Sequence, residues 1–207
     1  MAALPYFPFY RMNRPVSAYN TYDFMAEVGR RMKQFSFFWQ AAGFCMTALV
    51  GTLLHFLYDW TGGNLLAVFF SGTNESTWEH MKLLFWPLFL FGLIQRPFFA
   101  NREDFWCIKL AAALLGLLMI PILFYTYNGA FGKSPDWLNI SIFYVSAAAA
   151  FLLEWQLFKK PRRCRPLLAF SAICLTGALF VLFTFFPPKL PLFRDPVTGT
   201  YGLTSPQ

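Results

Sequence analysis

Charge is scarce in this sequence. Only 13% of the 207 residues are Asp, Glu, Lys or Arg, while 57% are hydrophobic; soluble globular domains carry roughly 25% charged and about 50% apolar residues. That leaves too little polar surface to cover a water-facing fold, which excludes an ordinary soluble protein. The signatures of several common enzyme classes are also absent. There is no G-x-x-x-x-G-K loop, no G-x-S-x-G elbow and no H-E-x-x-H helix, so nucleotide hydrolysis, serine hydrolysis and the usual zinc-protease pattern have no support. Cysteines are few: Cys45, Cys107, Cys164 and Cys174. Their spacing matches neither a disulfide framework nor a zinc ribbon, and the expectation is that they are filler in or beside apolar runs. The apolar residues 4–10 are interrupted by Pro5 and Pro8 and too short for a signal-peptide core, so the first span is expected to serve as its own insertion signal. There is no internal repeat.

What the sequence does have is apolar and aromatic length. Aromatics make up 21%, with 27 Phe, a composition suited to lipid tails and headgroups as solvent. A span needs ~20 apolar residues to cross a ~30 Å hydrocarbon core. Five runs meet or approach that length, at residues 37–58, 78–94, 105–127, 137–158 and 167–186. Pro87 and Pro121 lie inside the second and third and are expected to kink them. The fold class predicted is therefore all-α, a polytopic membrane helix bundle of about five transmembrane helices. Residues 1–35 form an N-terminal segment with an interfacial helix over 22–34, residues 36–187 the membrane domain, and residues 188–207 a Pro/Gly-rich tail.

The net charge of +7 does not point to nucleic acid, because the basic residues are divided among short loops between apolar runs. It reports topology. Thirteen of the 17 Lys and Arg residues fall on one side: Arg11, Arg14, Arg30, Arg31 and Lys33 before span one, Arg96, Arg102 and Lys109 between spans two and three, and the run at residues 159–165. Lys82, Lys133, Lys189 and Arg194 fall on the other. The positive-inside rule then sets the N-terminus in the cytoplasm and the C-terminus outside. The basic run is expected to meet anionic headgroups.

The unusual polar residues collect at the opposite, extracytoplasmic ends of spans one and two. Both histidines, His55 and His80, lie there with Asp59, Glu75 and Glu79. His55 and Asp59 are one helical turn apart and can converge. Gly43, Thr47 and Gly51 continue the same four-residue ridge, and small residues at that spacing admit a neighbouring helix, so the ridge is expected to face the bundle. Ionisable groups at such depth default to a functional reading. Imidazoles with carboxylates suit a divalent metal such as zinc, iron or manganese, which activates water through an open coordination position. The site hypothesis is a metal or proton site of His55, Asp59, Glu79 and His80, with Glu75 as a further ligand or a catalytic general base. The bland reading stands beside it. Ser76-Thr-Trp-Glu79 has the form of a capping box, Asp59 suits a hydrogen-bonded turn, and either histidine suits an interfacial position. Glu154 is expected to snorkel or to pair with a loop arginine, and Asp195 to sit in a solvated turn. Asn128 and Asn139 are within reach of the cluster or are ordinary boundary residues.

Two motifs, HFLYDW from His55 followed by NESTWEHMKL from Asn74, and PPKLPLFRDPVTGTYG from Pro187, resemble a family of bacterial multi-pass membrane proteins known only as a domain of unknown function. The resemblance covers residues 37–201. It implies a bacterial plasma or inner membrane location and supplies no activity or catalytic residue. A more distant, fold-level likeness is to the membrane hydrolases that include alkaline ceramidases, from which two histidines are too few for the usual zinc set. Three classes of function follow: a metal-dependent membrane hydrolase acting on a lipid or envelope substrate, a structural or partner-binding membrane subunit with a purely hydrogen-bonded cluster, and a small ion- or proton-coupled transporter. The bilayer is the partner in each. The ridge on span one and the pair Ala112 and Gly116 on span three can pack within a chain or between chains, so a homo-oligomer is open.

Overall fold

The computed structural model describes residues 21–203, with side chains from residue 35. Arg11 and Arg14, and the side chains of Arg30, Arg31 and Lys33, lie outside the described residues. Among the described residues the chain is all-helical: α1 (Thr21–Trp60), α2 (Leu65–Phe70), α3 (Thr77–Gln95), α4 (Phe105–Phe131), α5 (Asp136–Phe158) and α6 (Pro166–Phe185), with short 3-10 turns at Arg96–Phe99 and Pro191–Phe193. Four helical segments are long and apolar enough to cross a membrane: Phe35–Trp60 of α1, and α4, α5 and α6. Each lies within a few residues of an expected span. The expected interfacial helix over residues 22–34 continues without a break into α1.

α3 differs from these four. Glu79, His80 and Lys82 occupy its opening turns, yet Glu79, Lys82 and most of the helix are buried. It packs against α1, α4 and α6, and within it only Leu90, Leu93 and Ile94 near its C-terminal end are exposed. α4 packs along α5, and α5 returns to α1. Leu84, Phe85, Leu117, Ala147, Ile173 and Phe180 form the centre of the core. Leu49, Leu118, Ile122, Leu152 and Leu175 face outward. Apolar residues thus lie on both the inside and the outside of the bundle, which is what a lipid solvent permits.

The ridge on α1 faces the bundle as expected through Gly43, Thr47 and Gly51, all buried. A Cβ at Gly51 would lie 3.0 Å from the Leu83 carbonyl. Pro87 lacks the N–H that would have bonded that carbonyl, and the bare Gly51 backbone fills the space against it. The ridge turns away from the core further on. His55 is half-buried and Asp59 is exposed, so Asp59 does not point into the bundle as expected.

Several sequence expectations are corrected at the basic end. Cys107 and Cys164 form a disulfide across 57 residues, pinning the first turn of α4 to the segment before α6, whereas Cys45 and Cys174 are free. Lys109, counted as a loop charge, is buried on α4 and bonded to Glu154, which is fully buried and does not snorkel. Lys82, counted with the outer loops, is fully buried on α3. Removing one charge from each side leaves the basic imbalance intact. Asp104 ties the end together. It receives two bonds from the Arg102 guanidinium and one from the Arg162 N–H, while Arg102 also donates to the Phe158 carbonyl.

Burial alone would push the Asp104 carboxyl up, but the bonds from Arg102 and the Arg162 backbone, with the Arg102 charge, hold it below its ordinary 3.8. A depressed carboxylate stabilises the fold above its unfolded value and loses that contribution as pH falls through the folded one. Hydrogen exchange of residues 158–163 in detergent is therefore expected to be unchanged from pH 7 to 5 after correction for intrinsic rates, and to accelerate below about pH 4. The Asp104→Asn variant should exchange fast throughout.

Candidate functional site

The first outer loop is built from capped ends. Asn64 opens α2 by accepting from the Leu66 N–H. Ser76 is the N-cap of α3 and accepts from the Glu79 N–H at 3.4 Å, while its own N–H donates to Asn74 Oδ1. This is the first half of the expected capping box. The second half is absent, because the Glu79 carboxylate turns away from Ser76. α3 begins at Thr77, so Glu75 precedes the helix and does not share a face with Glu79.

Glu79 pairs instead with Lys82 on the next turn of α3. The carboxylate also accepts from the Thr73 N–H at 3.1 Å and from the Thr184 hydroxyl at 2.8 Å, and Lys82 Nζ donates to the Thr184 hydroxyl and to the Val68 carbonyl, each at 3.0 Å. One buried network thus joins α2, the loop behind it, α3 and α6. Glu79 is 2% exposed and lies beside a buried ammonium.

The histidines gather on the other side of α3. His55 Nε2 and His80 Nε2 approach the two oxygens of Glu75, at 3.7 and 3.6 Å, and the ring centroids are 5.6 Å apart. His80 Nδ1 stands 3.0 Å from the Ser76 carbonyl. A carbonyl only accepts, so Nδ1 carries the proton and, in the neutral ring, Nε2 presents a lone pair to Glu75. Two acceptors facing each other require a proton, a water or a cation between them. Among the described residues, no group of three or more His, Cys, Asp or Glu side chains could hold a metal ion as it stands. Of the five residues singled out from the sequence, His55, Glu75 and His80 come together. Glu79 joins Lys82, and Asp59 is exposed.

Glu75 and His80 border a cavity of about 120 Å³. Its polar wall is Asn128, Ser134 and Asn139, linked to each other by bonds of 2.8 to 3.2 Å, and its deeper wall is Ile120, Phe124, Ile142 and Phe143. Lys133 and Asp136 stand at the rim with Pro196 and Val197 of the tail. The tail is therefore part of the mouth. Phe193 is buried against Trp78 and Phe183, Asn74 Nδ2 donates to the Gly202 carbonyl at 2.7 Å, and Asp195 is 3% exposed. Asp195 accepts from the N–H groups of Val197 and Thr198, making a packed turn where a solvated one was expected. Asn128, Asn139 and Asp195 were visible in the sequence only as separate residues. The link between Lys82 and Thr184 carried no signal, because the two lie 102 residues apart and the Val68 carbonyl that also receives Lys82 is on another helix.

Residues 30–203 match the model of a family described as Family of unknown function (DUF6512). No curated protein and no solved structure matches the chain.

Removing one member of a buried ion pair leaves the other uncompensated, at a cost of roughly 3–5 kcal/mol. Lys82→Met should therefore lower the melting temperature in detergent sharply, and Glu79→Leu in the same chain should restore much of the loss. A double variant no better than Lys82→Met alone would show that Glu79 is not the partner that matters.

Proposed function

We propose, for a chain that belongs to the DUF6512 family of unknown function, a five-span membrane protein that performs acid–base chemistry on a polar or amphipathic ligand at its extracytoplasmic mouth. α3 would be the fifth span, tolerated despite its charges because Glu79 and Lys82 are buried inside the protein. The N-terminus would be cytoplasmic, since the basic loops remain on one side. The observation that carries the proposal is the lone-pair side of His80 facing the Glu75 carboxylate at 3.6 Å on the edge of a cavity. A carboxylate and an imidazole sharing one proton form an acid–base couple, and Glu75 is the general base with His80 its proton partner. A polar wall above and an apolar wall below suit a ligand with a headgroup and a tail, such as an outer-leaflet lipid or envelope precursor. Hydrolysis is the reaction class this couple serves most directly.

A second reading is supported by the same three groups. Two imidazole nitrogens and a carboxylate form a ligand set for a divalent cation such as zinc, and the half-exposed Glu75 reaches both rings. Protein purified without chelator should then contain metal by plasma mass spectrometry, and lose it in His55→Ala and Glu75→Ala. The hydrolase proposal is tested by reconstituting the protein in bacterial lipid extract and following released headgroups and fatty acids by mass spectrometry. Product formation should fall by about 10²-fold or more in Glu75→Gln. Folded wild type that releases nothing sinks the hydrolytic reading.

The proposed orientation also constrains the disulfide. Cytoplasmic thiols are ordinarily reduced, so Cys107 and Cys164 would be a dithiol for most of the protein in the cell and oxidise on exposure to air. In intact cells a permeant maleimide should label Cys164, and an impermeant one should not. Labelling by the impermeant reagent would invert the topology.

A further inference from the structure

The polar wall of the outer cavity is a hydrogen-bond relay whose direction is fixed by backbone groups. The Ser134 N–H, which can only donate, bonds to Asn128 Oδ1 at 2.8 Å, and the Phe124 carbonyl, which can only accept, takes a bond from Asn128 Nδ2 at 2.7 Å. Both ends of the Asn128 amide are thereby assigned, and its Nδ2 also donates to Ser134 Oγ at 3.2 Å. That hydroxyl, having accepted, gives its own proton to Asn139 Oδ1 at 2.8 Å. The relay ends on the Asn139 amide, with the oxygen held by Ser134 and the nitrogen at the opposite end. Asn139 borders the cavity, and among the described residues the bond from Ser134 is the only one its side chain makes. Two N–H donors are therefore left for whatever enters.

The frame around this amide is held firmly. Ser134 is 5% exposed. The Gly132 N–H donates to the Asn128 carbonyl at 3.1 Å, and Gly132 turns the chain at a φ of +85°, a conformation suited to glycine. Asn128 thus fixes the turn through its backbone and its side chain together. The same turn brings Lys133 to the rim of the cavity. Lys133 is exposed and makes no ion pair among the described residues. The other charges of the site have their own surroundings. Asp136 stands in the first turn of α5, where the helix dipole favours a carboxylate, and the two oxygens of Glu75 face the imidazoles. What the Asn139 and Lys133 side of the cavity offers a ligand is donors only, an amide and an ammonium, which suits an oxygen-rich anion.

We propose that this wall binds the phosphate of an anionic lipid headgroup, with Asn139 Nδ2 donating to a phosphoryl oxygen and Lys133 supplying the opposite charge. The apolar floor of Ile120, Phe124, Ile142 and Phe143 takes the part of the lipid that follows the headgroup. The inference rests on the reading of this cavity as a ligand site and names the class of headgroup and the two residues that select it. Neither residue belongs to the acid–base couple of Glu75 and His80.

The test uses full-length protein in maltoside micelles, labelled with 15N-asparagine, the Asn139 side-chain amide signal being identified by its loss in Asn139→Asp. Dihexanoylphosphatidylglycerol, dihexanoylphosphatidylcholine and inorganic phosphate are titrated in turn. Phosphatidylglycerol should move the Asn139 signal saturably, and the Asn128 signal, whose amide is already bonded, much less. Lys133→Gln should weaken that binding about tenfold. Asn139→Asp keeps the shape and replaces the donors by a carboxylate oxygen, and the phosphorus signal of the lipid should then report no binding. A saturable response to inorganic phosphate at the same concentrations supports the phosphate site and assigns it a soluble ligand in place of a lipid. Phosphatidylcholine bound as tightly as phosphatidylglycerol overturns the proposal. So does the absence of a saturable response to all three, or a folded Lys133→Gln protein that binds like wild type. Binding is read without turnover, so a protein that releases no product can still pass this test, and one whose hydrolysis and binding survive both substitutions refutes this inference alone.

Discussion

An ammonium group cannot stand bare in the interior of a membrane bundle, and most of the outer half of this structure follows from satisfying the one on Lys82. Glu79 supplies the opposite charge from the same helix, the Val68 carbonyl comes from the end of α2, and the Thr184 hydroxyl comes from α6 and relays to Glu79. Because Glu79 is held by this network, the loop that ends at Ser76 is held as well, through the Thr73 N–H. That loop presents Glu75 to the two histidines. A structural ion pair on one side of α3 thus helps place Glu75 beside the two histidines on the other.

The inner half repeats the arrangement with different parts. Lys109 and Glu154 bridge α4 and α5, and the aromatic rings around the ammonium replace much of its hydration. Beyond them Arg102 and Asp104 bind the ends of α4 and α5 together, and the disulfide adds the segment before α6. The bundle therefore has a paired charge near each end and hydroxyls and amides between. Its polar residues are directed inward, as a solvent without hydrogen bonds requires.

Composition and hydropathy made the helices legible. Lipid demands long apolar segments whatever their neighbours, so α4, α5 and α6 begin and end within a few residues of the runs visible in the sequence. The small ridge of α1 was readable because small residues at four-residue spacing admit a neighbouring helix, and a Cβ at Gly43 or Gly51 would collide with the Phe151 or Phe143 ring. The candidate site was legible in part. Local spacing brought His55, Glu75 and His80 into one region, but it assigned Glu79 to that site and expected Asp59 to turn inward. Whether Glu79 serves a histidine or Lys82 depends on which way the first turn of α3 faces, and that is set by packing on α6.

By itself, the sequence determined that this chain is a helical membrane protein and which end carries its basic loops, because both properties are sums over residues that need no partner. Tertiary structure alone decided which charges pair, that Cys107 meets Cys164 and that Asp195 packs at the mouth. Apart from the near neighbours Glu79 with Lys82 and Arg102 with Asp104, these depend on residues far apart in the chain. Their meeting is set by the register of packed helices, which no local pattern encodes.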